Sequence, residues 1–133
     1  MTEPQTRTYT DAHGVEITFY VWAVPNPKAI IQIAHGLGDH ARRYDHVAEF
    51  FNNAGYTVYA DDHRGHGVTG KKQVASGATK TMGNLGKGGI KAAFEQVHEM
   101  TNIIKAENPG VKLVLFGHSY GSFISQKLIN QYS

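Results

Sequence analysis

Cysteine is absent from all 133 residues, which excludes a disulfide framework and any thiolate metal site. An excess of one charge sign is also missing: 13 Lys and Arg against 11 Asp and Glu leave a formal net charge of +2. The basic residues form no stripe, and the pairs Arg42-Arg43 and Lys71-Lys72 stand apart. No nucleic-acid partner is implied, and both pairs read as solvated surface. No apolar run approaches the roughly 20 residues that span a bilayer, so no transmembrane segment is expected. The N-terminal "MTEPQTRTYT" is polar and lacks the apolar core of a secretory signal, so the expected location is cytoplasmic. Low-complexity tracts, internal repeats and domain boundaries are missing too. What remains is one domain's worth of chain, long enough to bury a core.

Hydrophobic spacing orders that chain. Thr6 to Thr10, then "DAHG", then "VEITFYVWAV" reads as a β-hairpin, with Asp11 and Gly14 at the ends of a type I turn. Val15, Ile17, Phe19, Val21 and Ala23 alternate with Glu16, Thr18, Tyr20 and Trp22, the period of a strand with one buried face. "AIIQIA" (29–34) is almost unbroken apolar sequence, as in a strand covered on both sides. A helix is expected from His40 to Ala54, on the spacing of Tyr44, Val47, Ala48 and Phe51, with Gly55 as its C-terminal cap. "YTVYA" is a second buried strand, and residues 68–88, rich in Gly, Lys, Ser and Thr, read as a surface loop. Ile90, Phe94, Val97, Met100 and Ile104 mark a further helix, which "NPG" stops. "VKLVLF" is a third buried strand, and Tyr120, Phe123, Ile124 and Leu128 open a last helix. Strands alternating with amphipathic helices predict an α/β fold with a mostly parallel sheet and helices on both faces.

"LVLFGHSYGS" carries the chemistry. Gly117-His118-Ser119-Tyr120-Gly121 fits G-x-S-x-G, and it lies where the motif must lie, between a buried strand and a helix. Glycines two residues to either side of the serine clear the backbone that a tight turn brings close. The turn then holds the hydroxyl proud of the sheet. The helix behind it aims N–H groups at a developing oxyanion. Ser119 is therefore the candidate catalytic nucleophile. After the 29–34 strand, His35 and Gly36 are expected to shape a loop whose next amide, that of Leu37, supplies one oxyanion donor. Tyr120 N–H would supply the other.

"HGLGDHARRYDHVAEFFNNAGYTVYADDHRGHG" and "LVLFGHSYGS" together resemble the first half of an α/β-hydrolase of the monoacylglycerol lipase and lysophospholipase group. The pattern H-G-x-G-(E/D)-H, then R-Y, then A-x-D-x-R-G-H-G, then G-H-S-x-G is matched motif by motif, with Asp39 at a position more often glutamate, and the resemblance covers nearly the whole chain from about residue 8. The resemblance implies a serine carboxylic-ester hydrolase working through an acyl-enzyme on monoacylglycerols, lysophospholipids or small esters, with no cofactor. It also implies that Arg64 to Gly67 form a structural turn, so His63 and His66 are read as structural and no metal site is assigned.

Two other constellations compete. Gly36-x-Gly38-x-x-Ala41, with Asp61 and Asp62 about 25 residues on, satisfies a dinucleotide fingerprint. A nicotinamide-dependent oxidoreductase would leave the serine elbow without a purpose. "GNLGKGG" lacks the hydroxyl residue that follows lysine in a phosphate loop. In the α/β-hydrolase order the serine precedes the acid and the histidine, and "YGSFISQKLINQYS" after Ser119 contains neither Asp nor His. The sequence therefore reads as the N-terminal part of a single domain that stops before the lid and those two residues. They are expected from the remainder of the same protein or from a complementing chain. The alternative is a catalytically incomplete structural piece that needs such a partner.

Overall fold

The computed structural model describes residues 3–36 and 38–132. Five strands, β1 (Gln5–Thr10), β2 (Glu16–Trp22), β3 (Ile30–Ala34), β4 (Thr57–Asp61) and β5 (Leu113–Gly117), form one sheet in the order β1-β2-β4-β3-β5. β3, β4 and β5 are parallel, while β1 and β2 run antiparallel at one side. The helices are α1 (Asp45–Asn53), α2 (Gly67–Ala75), α3 (Gly89–Glu107) and α4 (Tyr120–Tyr132). The expected hairpin closes through the Gly14 amide donating to the Asp11 carbonyl at 3.0 Å.

Burial follows from this layering. On one face Tyr20, Trp22, Ile31, Ile33 and Val58 pack with Ala48 of α1. On the other, Phe19, Val21, Ile30 and Tyr59 pack with Met100 and Ile104 of α3. β3 and β4 are buried along their whole length, as unbroken apolar runs in a doubly covered parallel sheet must be. Among the described residues no helix is long and apolar enough to cross a membrane.

Four local expectations are corrected. β2 is buried on both faces, not one, because β4 pairs along its inner edge and α1 and α3 cover its two sides. Tyr20 and Trp22 sit on the face expected to be polar. Each buries its ring and satisfies its one donor, Tyr20 OH to Asp62 Oδ2 at 3.2 Å and Trp22 Nε1 to Asp45 Oδ1 at 3.2 Å. Residues 68–75 of the expected loop belong instead to α2, held by tertiary bonds: Thr69 Oγ1 accepts from Thr18 N–H at 2.9 Å, and Gln73 Oε1 from Gly65 N–H at 2.7 Å. The helix expected from His40 begins as a 3₁₀ turn over Ala41–Tyr44 and becomes α-helical only at Asp45. β5 is half covered rather than enclosed. Leu115 packs toward α3 and α4, whereas Val114 and Phe116 on the opposite face are 41% and 40% exposed. The side chains of Phe123 and Leu128 lie outside the described ones.

Candidate active site

Chain order and sheet order together locate the site. After β3 the chain crosses to β4 on one side, then returns to lay β5 on the other. The C-terminal ends of β3 and β5 are thus neighbours from which the chain departs in opposite directions. Such a switch point is where open α/β sheets leave a crevice. Ala34 pairs with Gly117, so the loop beginning at His35 and the turn at His118 leave the sheet side by side.

At that crevice the β5–α4 turn is very tight. Ser119 is held at φ +55° and is exposed. Left-handed backbone at a residue with a Cβ stores strain of about 1–2 kcal/mol. The flanking glycines explain how the turn fits. A Cβ on Gly117 would lie 2.7 Å from the Gly121 carbonyl oxygen, and one on Gly121 would land on the Ala34 carbonyl with the His35 oxygen at 2.6 Å. His118 N–H donates to the Ala34 carbonyl at 3.2 Å and Gly121 N–H to the His118 carbonyl at 2.9 Å. Ser125 Oγ, one turn into α4, donates to the Gly121 carbonyl at 2.7 Å and is buried. Ser119 is thus the exposed hydroxyl of the turn.

The His35 loop closes over it. The position a Gly36 Cβ would take is 3.4 Å from Ser119 Cβ and 3.3 Å from the His118 carbonyl oxygen, so the loop lies in close contact with the turn and a side chain there would push it back by a few tenths of an ångström. Leu37, the sequence-derived oxyanion donor, lies outside the described residues. Tyr120, the other, opens α4 with its ring stacked on His66 (centroids 6.0 Å, 21°) and edge-on to His63 (6.0 Å, 80°). The structure brings Ser119, Gly36, Gly117, Gly121, Tyr120 and His35 to one corner.

Beneath that corner the turn after β4 is packed with titratable side chains. Asp62 Oδ1 accepts from Ala41 N–H at 2.8 Å, and its Oδ2 accepts from Val68 N–H at 2.9 Å. With Tyr20 OH also on Oδ2, one carboxylate holds the start of the 3₁₀ turn, the start of α2 and a side chain of β2. Arg64 is fully buried, its Nε 3.3 Å from Asp11 Oδ2 in the hairpin turn. Its amide donates to Gln96 Oε1 at 3.1 Å, while Gln96 Nε2 donates to Asp61 Oδ2. His63 Nδ1 lies 3.3 Å from Asp61 Oδ1. Although burial alone would raise it, the His63 ring beside Asp61 holds that carboxyl below the usual range. His66 Nδ1–H donates to the Arg64 carbonyl at 2.8 Å, and burial lowers its pKa. Both histidines are buried in this turn. Gln96 and Gln73, which sequence reasoning missed, knit this turn to α3 and α2. The one signal was Gln96 lying on the apolar stripe of α3.

His35 is a buried neutral imidazole. Burial, and then the neighbouring His63, lower its pKa to about 2. Beside it a cleft of about 970 Å³ opens between the His35 loop, α2 and residues 81–84, lined by Tyr20, Asp39, Arg42, His66, Lys71 and Met82 among others. Ser119 does not line it.

A dinucleotide reading fails on this geometry. In the nicotinamide-binding fold the third parallel strand extends the sheet beyond the second. Here that edge of β4 is taken by antiparallel β2, and Gly36 faces a serine.

Comparison with known proteins agrees with the fold. Residues 25–133 match the family model described as serine aminopeptidase, S33. The chain is 34% identical over 118 residues to the monoacylglycerol lipase of Mycolicibacterium smegmatis, a match covering 88% of this chain and 38% of that enzyme. Against the monoglyceride lipase of Rattus norvegicus it is 32% identical over 100 residues, 74% of this chain and 29% of the relative. Among solved structures, a highly thermostable carboxyl esterase from Bacillus coagulans superposes with a TM-score of 0.81 at 32% identity, covering 96% of this chain and 40% of the esterase. The chain thus spans about two-fifths or less of the length of these relatives. With most of its residues matched and its switch point in the same kind of sheet, the chain belongs to the S33 serine aminopeptidase family of α/β-hydrolases, alongside the monoacylglycerol lipases.

Proposed function

We propose that this chain carries the nucleophile of a serine carboxylic-ester hydrolase. Ser119 Oγ attacks the ester carbonyl while a histidine base takes its proton. The carbonyl oxygen gains the negative charge, which the amides of Leu37 and Tyr120 hold. Collapse of that adduct expels the alcohol with a proton returned by the base, and water then releases the acid from the acyl-enzyme. Supporting this most directly is the exposed Ser119 hydroxyl, held at a positive φ where the Gly36 loop presses against it. In this reading the base and its acid belong to the part of the relatives' length that this chain does not span. Monoacylglycerols, lysophospholipids and small esters are the substrate class, by kinship with lipases and a carboxyl esterase. A cytoplasmic protein needing no cofactor completes the reading.

In the intact protein a fluorophosphonate should label Ser119. Ser119→Ala should abolish labelling and cut turnover of p-nitrophenyl esters by about a million-fold. The 133-residue chain alone should turn over none of them. Labelling at Ser122 or Ser125 would overturn the assignment.

A further inference from the structure

We propose that His35 is a positioning residue for the loop that lies against Ser119, acting through one fixed neutral tautomer that holds the Gly36 carbonyl in place. The ring makes two bonds of opposite polarity. Its Nε2 lies 2.9 Å from the His63 amide nitrogen, which can only donate, so Nε2 must be the bare, accepting nitrogen. Its Nδ1 lies 2.8 Å from the Gly36 carbonyl oxygen, which can only accept, so Nδ1 must carry the proton. Of the three states open to an imidazole, only the Nδ1–H tautomer satisfies both contacts. The opposite tautomer sets N–H against N–H at His63 and a lone pair against a carbonyl at Gly36. The imidazolium loses the His63 bond.

The place of this clamp in the fold converts it into a statement about catalysis. The position a Gly36 Cβ would take is 3.4 Å from Ser119 Cβ, so fixing the Gly36 carbonyl fixes the loop beside the nucleophile assigned under the proposed function, and this step alone rests on that assignment. Asp39 N–H also donates to the Gly36 carbonyl, at 3.2 Å, so both lone pairs of the oxygen are engaged and the loop resists turning over. Burial excludes water that would compete for either contact: His35 is 1% exposed.

The same ring links the two sides of the crevice. It lies 3.9 Å from the His63 ring and 5.2 Å from the His66 ring, and His66 stacks on Tyr120. Three imidazoles and a phenol thus form one packed wall from the Gly36 loop to the residue after Ser119. Asp61, His63 and His66 are the titratable groups facing His35. Desolvation and the neighbouring His63 ring keep it uncharged, which is the form the clamp requires.

The two bonds can be separated by replacement. Asparagine places an amide N–H near the Nδ1 position and nothing at Nε2, so His35→Asn keeps the bond to Gly36. Glutamine reaches the Nε2 position with a carbonyl, so His35→Gln keeps the bond from His63 and loses the one to Gly36. In the intact protein with 15N-labelled histidine, His35 should show a protonated Nδ1 and a bare Nε2, unchanged from pH 7.5 to pH 5. A protonated Nε2, or a titration midpoint near 6.5, would overturn the proposal whether or not either variant folds. On p-nitrophenyl esters, His35→Gln should lower kcat on the order of ten- to a hundredfold with KM little changed, and should weaken a boronic-acid transition-state analogue by the same factor. His35→Asn should retain most of kcat. Equal loss in both variants, or a loss carried by KM, would reduce His35 to packing and overturn it. Absence of fluorophosphonate labelling at Ser119 would instead remove the catalytic reading and leave the tautomer result standing.

Discussion

Two strand-to-helix turns in this molecule invite opposite readings from the same inspection. The turn after β4 holds Asp61, Asp62, His63, Arg64 and His66, a density of titratable groups that suggests a reaction centre. The turn after β5 offers little beyond one hydroxyl. In the fold the rich turn is sealed, its side chains between 0% and 3% exposed, and Asp62 alone accepts from Ala41 N–H, Val68 N–H and Tyr20 OH. The poor turn is strained and open, with Ser119 exposed at φ +55°. Exposure and backbone strain thus do not follow the number of ionisable groups in a turn. Buried charge is costly unless it is bonded, so a dense polar turn is most often a structural knot.

The contrast is broken most sharply at Gly121. Its missing Cβ is what lets α4 start against the end of β3, where the backbone oxygens of Ala34 and His35 are in the way. Backbone of a central strand cannot yield as a side chain would. Gly121→Ala should therefore cost more than about 4 kcal/mol, read as loss of cooperative thermal unfolding. Gly77→Ala is the control: nothing lies within 4 Å of a Cβ there, and its φ of +80°, which the helical Gly121 does not share, leaves only a conformational cost of about 1 kcal/mol. Equal costs at the two sites would mean that the seam between β3 and α4 is looser than the geometry shows.

Asp62 tests the sealed turn. Asp62→Ala removes an acceptor from two backbone amides and a buried phenol, and should destabilise by about 3 kcal/mol in urea unfolding. Fluorophosphonate labelling of the fraction that remains folded should not change, because Asp62 is assigned no part in the chemistry. Lost labelling in a folded variant would move Asp62 from scaffold to site.

The elbow was legible in the sequence because its constraint is local: Gly117, Ser119 and Gly121 are fixed by one tight turn, and strand and helix patterns flank it on either side. β3 and β4 were legible for a related reason, since enclosure by helices on both faces leaves an unbroken apolar run. α2 was not, because what holds it lies outside its own residues: Asp62 accepts from Val68 N–H at its first turn, and Thr18, 51 residues away, donates to Thr69. β2 misled because Tyr20 and Trp22 carry polar atoms, yet each buries its ring and reaches its partner, Asp62 or Asp45, across the sheet face. The two roles of His35 were equally hidden. A sequence places His35 beside Gly36 but gives no hint that its far nitrogen meets the amide of His63.

Acid should unmask the sealed turn before the open one. His35 titrates in the folded state at about 2, against about 6.5 when unfolded. The unfolded chain thus binds the extra proton throughout that window, and stability falls as pH drops below about 6.5, by about 1.4 kcal/mol per pH unit. His66, lowered by burial, acts in the same direction from the same upper limit. Asp61 adds to it further down, because a carboxyl held below its usual range loses its contribution as pH falls. Glu99, raised by burial, opposes them, but it is one partly exposed group against three. Between pH 6.5 and pH 5 the wild type should lose about 2 kcal/mol through His35 alone, and His35→Gln should show a slope smaller by that amount. A flat melting temperature across this range would mean that water reaches His35.

The smallest effect bears on the strain at the open turn. A left-handed backbone disfavours any Cβ, so glycine at position 119 should be preferred to alanine even though neither carries a hydroxyl. Opposing this, glycine has more freedom to lose on folding, worth about 0.5–1 kcal/mol. The left-handed penalty is about 1–2 kcal/mol, so the balance should favour Ser119→Gly over Ser119→Ala by about 1 kcal/mol in urea midpoint. Seven residues on, at Gln126 on the exposed side of α4, the same pair of replacements should order the other way, because an ordinary helical position favours alanine by about 1 kcal/mol. A matching order at the two positions would mean that Ser119 is not strained. The elbow would then display its hydroxyl by exposure alone, and the difference between the two turns would shrink to one of burial.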